Sequence, residues 1–189
     1  MVHPLVLQLR FARSEFRRGL AGLTDEEARR RFAPMNCISW TIGHLAWQEQ
    51  RYWLGLAQGR TLLPEVSEMF ASGGPSSTPG LAEMWEAWEM ITGAADLWLE
   101  GITPQKLEEL VVLEGKPSRF LFGSLLLRMI YHYWFHLGEC MAVRQMLGHG
   151  DLPQFVGDID GQAPYGGGWD ADARAVDGGT DVRAGGGGR

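Results

Sequence analysis

Apolar residues recur at helical spacing over four long stretches of this chain, and no stretch keeps a sustained strand-like alternation. In the first, Leu5, Leu9, Ala12, Phe16 and Leu20 are separated by arginines, which predicts an amphipathic helix from Pro4 to about Leu20. Thr24 stands three residues before Glu27 in capping-box spacing and predicts a short helix that Pro34 stops. A second long helix, NCISWTIGHLAWQEQRYWLGLAQGR, takes Asn36 or Ser39 as its cap and ends at Gly59. The segment ASGGPSSTPG predicts a long loop, after which Thr78 and Pro79 open a third helix ending near Gly101.

The next stretch, TPQKLEELVVLEGKPSRF, has a Thr-Pro helix start and then a short Val/Leu run with Gly115 and Pro117. That pattern predicts a helical turn followed by a small hairpin or extended link. Ser118 is a candidate cap for a fourth long helix through Leu147, closed by Gly148 and on the order of 45 Å long. Four principal helices with one long crossing loop between the second and third predict an all-α four-helix bundle over residues 1–160. Residues 161–189 are too poor in aliphatic side chains and too rich in Gly to offset the entropy of ordering, and predict a flexible Gly/Asp-rich tail.

Charge changes this picture by exclusion. The chain carries 17 Lys+Arg against 23 Asp+Glu, a formal charge of -6, and offers no basic footprint for a phosphate backbone, so no nucleic-acid partner is expected. Residues 151–189 hold seven Asp against three Arg, so -4 of the net -6 falls there. Cys37 and Cys140 are the only cysteines, too few for a disulfide framework or a Cys-rich zinc module, and a reducing cytoplasm is the expected compartment. The N-terminal residues meet Arg10 after a short apolar stretch and lack a small-residue cleavage site. The most apolar window, Phe120 to Gly138, contains Arg128, His132 and His136; about 2.5 kcal/mol for the arginine alone argues against a membrane span.

The candidate chemistry lies on the second and fourth helices. His132 and His136 are four apart in YHYWFHLGE, which places both imidazoles on one face; the spacing suits two ligands of one metal, and equally two core residues. His44 shares a helical face with Trp40, Trp47 and Arg51, and Gly43 permits close backbone approach beside it. An imidazole buried there needs a partner, either a carbonyl of the core or a metal of the kind that facing helices of a bundle build. Glu139 can orient His136, act as a general base, supply a weak fourth ligand, or stand as a charge at the rim. Arg128 and Arg51 can meet an anionic substrate group or stay solvated, and Tyr131 and Trp134 can line a pocket or join the core. Cys37 and Cys140 read as small buried hydrophobes, and His149 after Gly148 as a favourable partner of a helix dipole. Trp47, Trp53, Trp85, Trp88 and Trp98 are also the composition of a homodimer face.

Three pieces of text, LTDEEA, SWTIGHLAWQEQRYW and MIYHYWFHLGECMAVRQMLGHGDLP, resemble the DinB/YfiT-like superfamily in order and spacing over roughly residues 5 to 158. The resemblance implies a four-helix fold with His44, His132 and His136 as a ligand triad; the Gly-rich extension has no counterpart in the family pattern. Three neutral imidazoles leave the charge of a divalent ion uncompensated and a coordination position open. Zn fits such a site, and Ni and Fe also suit it. Branches of the superfamily use small thiols such as bacillithiol or mycothiol, so the resemblance implies transfer of a low-molecular-weight thiol to a small-molecule electrophile. The alternatives are metal-dependent hydrolysis at the same ion, or a non-enzymatic, dimerising, stress-associated bundle.

Overall fold

The computed structural model describes residues 2–113 and 115–165. Pro4 in the first turn, and the His3 imidazole accepting from the Leu5 amide, start α1 (Pro4–Gly19). The expected capping box of Thr24 and Glu27 opens α2 (Asp25–Arg29). The second long helix is α3 (Ile38–Glu49), which runs directly into a π-helical stretch, Gln50–Leu56. Neither expected cap operates there: Cys37 holds the cap position without a side-chain bond, and the buried Ser39 hydroxyl meets Cys37 Sγ instead.

The connection to the next long helix contains α4 (Pro64–Phe70), where the sequence pattern gave only loop; Pro64 at its first position starts it. Thr78 and Pro79 do not open α5 (Leu81–Leu99). Gly80 holds the cap position, and the free Leu81 amide donates to Asp25 Oδ1 of α2 at 2.8 Å, a cap supplied from across the fold. Thr103 caps α6 (Pro104–Leu107) as its Thr-Pro text predicts. The expected hairpin follows, β1 (Leu110–Leu113) antiparallel to β2 (Lys116–Leu121). It draws Ser118 into β2, where the hydroxyl accepts from the Phe120 amide, so α7 (Phe122–Met146) starts at Leu121 without a side-chain cap. α7 spans about 38 Å at 1.5 Å per residue. Gly148, at φ +90°, closes it in a Schellman turn, with the His149 amide donating to the Arg144 carbonyl at 3.1 Å.

Among the described residues the fold is all-α apart from this hairpin. α1 packs against α7, and α3 packs against α4, α5 and α7. Phe16, Ile42, Leu45, Trp53, Ile91 and Met129 are fully buried between them. The five tryptophans read as a dimer face are core residues instead: Trp47, Trp53 and Trp88 are buried, and Trp85 and Trp98 are half-buried against the core. The texts LTDEEA and RQMLGH form one structure. Arg144 donates to the Gly19 carbonyl and to His149 Nδ1, which leaves the His149 Nε2–H to donate to Glu27 at 3.0 Å. No helix among the described residues is long and apolar enough to cross a membrane. α8 (Ile159–Gln162) and the buried Ala163 dock on α1, where Gln8 donates to the Ala163 carbonyl at 2.6 Å, so the expected boundary at residue 160 falls inside a docked segment. The remainder of the expected tail, from residue 166, lies outside the described residues.

One polar network joins all four long helices. The guanidinium of Arg13 (α1) makes a two-pronged contact to Glu49 (α3), with both bonds at 2.7 Å, and donates to Asp96 (α5) at 2.6 Å. Tyr133 (α7) donates to the same Glu49 at 3.0 Å and accepts from the Trp88 indole (α5) at 2.8 Å. Glu49 and Tyr133 are wholly buried and Arg13 is 5 % exposed, so removing Arg13 leaves the Glu49 carboxylate with neither water nor counter-ion. Arg13→Met should therefore lower unfolding free energy by about 3–5 kcal/mol in urea titration, whereas a loss below about 1 kcal/mol would mean that the network is not holding the helices.

Candidate metal centre

The site begins with one stack on α3. Trp40, His44 and Trp47 lie at helical spacing with ring centroids 5.1 and 5.2 Å apart, and the Arg51 guanidinium covers the outer face of the group at 5.6 Å from Trp47. Gly43 permits the approach that its position predicted: a Cβ there would fall 2.8 Å from both Phe70 Cγ and Met84 Sδ. Phe70 ends α4, and its carbonyl accepts from His44 Nδ1 at 2.8 Å. The carbonyl is set in place by Gln50, 1 % exposed, which accepts from the Leu62 and Leu63 amides and donates to the Leu63 carbonyl and Ser67 hydroxyl. Gln50 is the first residue of the π-helical stretch, a form found disproportionately beside functional sites.

α7 brings the other two imidazoles. His44 Nε2 lies 3.3 Å from His132 Nε2, which lies 2.9 Å from His136 Nε2. His136 Nδ1 donates to Glu139 Oε2 at 2.6 Å. The outer rings are thus both fixed as Nδ1–H tautomers, one by a backbone carbonyl and one by a carboxylate. Their Nε2 atoms carry bare lone pairs. His132 has at most one hydrogen to place on its Nε2, and one hydrogen cannot satisfy both short contacts. A cation among the three nitrogens resolves the repulsion. Metal–nitrogen bonds near 2.0–2.1 Å at tetrahedral angles put ligand nitrogens about 3.3 Å apart, in keeping with this cluster. His44, His132 and His136 have ligand atoms within 4.8 Å of one another and form a group able to hold a metal ion.

Burial keeps these rings ready to ligate. Desolvation, joined by the neighbouring imidazoles, pushes His132 down to about 3 and His136 to about 4, and desolvation lowers His44 despite the Phe70 carbonyl. Burial raises Glu139 above the usual carboxylate value. His136 and Glu139 form one wall of a cleft of about 240 Å³, with Trp40, Thr41, Asn36 and Cys140 among its other linings. Both cysteines are free and buried, and burial pushes the Cys140 thiol well up. Tyr131 and Trp134 do not line this cleft: Tyr131 is exposed, and Trp134 packs against Phe11 and Phe155. Phe70 and Gln50 escaped the sequence reading. A carbonyl acceptor leaves no trace in side-chain identity, and a glutamine facing a loop has no periodic signal.

The DinB superfamily model matches residues 8–140, and the chain belongs to that superfamily. No curated protein matches the chain.

Two outcomes follow from this geometry. The unfolded histidine value is about 6.5 and the folded values are lower, so the unfolded state binds more protons between them. The neutral imidazoles of metal-free protein therefore contribute their full stability above about pH 6.5 and lose it as pH falls through about 4 for His136 and about 3 for His132. Melting temperature of chelator-treated protein should drop across that window, and His132→Gln with His136→Gln should flatten the slope. Gly43→Ala, which forces Phe70 away, should weaken zinc affinity about 10–100-fold in competition with a chelating dye.

Proposed function

We propose that this chain is a metal-dependent enzyme that joins a low-molecular-weight thiol to a small electrophile at the three-histidine centre. The observation that carries the reading is the convergence of three Nε2 atoms whose outer rings are held by Phe70 and Glu139 at the wall of a solvent-connected cleft. In this reading α1, α3, α5 and α7 are the members of a four-helix bundle, and α4 closes the long connection over His44. Among the described residues the cluster has three members, which leaves a coordination position for substrate.

His44, His132 and His136 hold the ion, with Zn the best fit and Ni or Fe also compatible. When bound, it supplies the positive charge that keeps a thiol ionised near pH 7. The thiol comes from a cosubstrate, because Cys140 is buried and its burial disfavours the thiolate. Glu139 takes the thiol proton at its carboxylate while it orients His136 through Nδ1. The sulfur lone pair then forms a carbon–sulfur bond to the electrophile, and the electron pair of the bond that breaks leaves with the departing group or moves onto the electrophile's acceptor atom. Trp40 and Thr41 form the cleft wall that excludes water from an apolar electrophile. The same reading places the protein in a reducing cytoplasm. It gives the exposed stripe Leu127, Tyr131 and Phe135 on α7 to a homodimer contact.

Conjugation of bacillithiol, mycothiol, glutathione or cysteine to a panel of electrophiles should depend on bound metal and on each of the three histidines. Glu139→Gln should slow turnover by about 10²-fold or more while metal content stays near wild type. Ester and amide hydrolysis without thiol transfer would replace this reading with the hydrolytic one, and an ion with four protein ligands and no turnover would replace it with a structural one.

A further inference from the structure

Arg51 and Arg128 come from different helices and open onto one cavity of about 200 Å³, walled by Tyr52, Leu56, Val111 and Phe120. Each guanidinium rests on an aromatic face, Arg51 at 5.6 Å from Trp47 and Arg128 at 5.2 Å from Phe120. Among the described residues neither forms an ion pair, as is also true of Arg30, Arg31, Arg60, Arg119 and Arg144. Both arginines are solvent-exposed at the rim of this small space, where two cationic donors from different helices can converge on one oxyanion. Stacking on an aromatic ring leaves the in-plane N–H edges of a guanidinium free to make forked contacts to such a group.

The cavity is lined by none of the three histidines, but its two arginines sit on the same two helical segments as the triad. His44, Trp47 and Arg51 follow at helical spacing, with Trp47 in contact with both neighbours, and Arg128 stands one turn before His132 on α7. At 1.5 Å per residue these arginines are about 6–10 Å along their helices from the imidazoles. We propose that this cavity is an anion subsite, and that it receives the carboxylate or other small oxyanion of a ligand whose opposite end is the thiol donor of the reaction proposed above. The thiol end rests on that reading, whereas the anion end rests on the two arginines alone.

The test uses full-length protein loaded with cobalt(II), titrated with 6-mercaptohexanoate and with the neutral 6-mercaptohexan-1-ol while the thiolate-to-metal absorption is followed. Zinc-loaded protein is titrated with hexanoate by calorimetry in parallel. The carboxylate thiol should bind at least about tenfold more tightly than the alcohol, and the advantage should shrink with added salt. Arg51→Gln and Arg128→Gln should each remove most of that advantage and weaken hexanoate, and Arg128→Gln, which lies outside the stack on His44, should leave metal content and alcohol binding unchanged. Equal affinities for the two thiols in the unsubstituted protein, or an advantage that survives both substitutions, overturns the proposal. If neither thiol perturbs the cobalt spectrum while hexanoate binds through the two arginines, the thiol reading falls and the anion subsite stands. Hexanoate binding that is absent or indifferent to both arginines overturns the subsite whatever the thiols do.

Discussion

The buried ion pair between Arg13 and Glu49 sets the depth at which the long helices meet. Hydrophobic contact is non-directional, so an apolar core alone tolerates small rotations and slides of its helices. A two-pronged guanidinium–carboxylate contact does not, because a misaligned pair leaves full charges in a space without water. Glu49 is five residues beyond His44 on α3, and Tyr133, which bonds the same carboxylate, is next to His132 on α7. The geometry of the ion pair is thereby passed to the imidazoles. A slide of one helical turn, about 5.4 Å, would strand Glu49 and separate the His44 and His132 nitrogens together.

The second constraint works from the side. The π-helical stretch turns Gln50 toward the chain that follows, where its amide makes four bonds to residues 62–67 and starts α4 at a fixed place. α4 then ends over His44, close enough that residue 43 has no room for a side chain. The histidine tautomer is thus decided by a loop and a short helix, and the nitrogen that joins the other two imidazoles is left bare as a result.

The long helices were legible because each buries one stripe, and periodicity records burial directly. Thr24, Thr103, Gly59 and Gly148 mark ends correctly because their caps are local. The failures are at ends capped from elsewhere: Leu81 takes its acceptor from Asp25 far away in sequence, and Ser118 was captured by a hairpin. The triad was legible through family resemblance joined to the spacing of His132 and His136. The two readings weighed for His44, a core histidine on a carbonyl or a metal ligand, are compatible, because one ring nitrogen takes the Phe70 carbonyl and the other joins a cluster that could hold a metal. Arg13 and Glu49 escaped notice because a charged residue in a helical pattern reads as surface, and only its partner on another helix reveals it as core. The same holds for the tryptophans, whose number suggested a surface and whose packing built an interior.

The acceptor for His44 is a main-chain oxygen, which every amino acid at position 70 would supply. Drift in the side chains of α4 can reshape the neighbouring surface without altering which nitrogen of that imidazole carries its hydrogen. What the arrangement does not tolerate is a change in the number of residues between Gln50 and Phe70, because the carbonyl would then arrive out of register. In a diverging lineage, the length of this connection is the character to which the chemistry of the centre is tied, more than the identity of any residue within it.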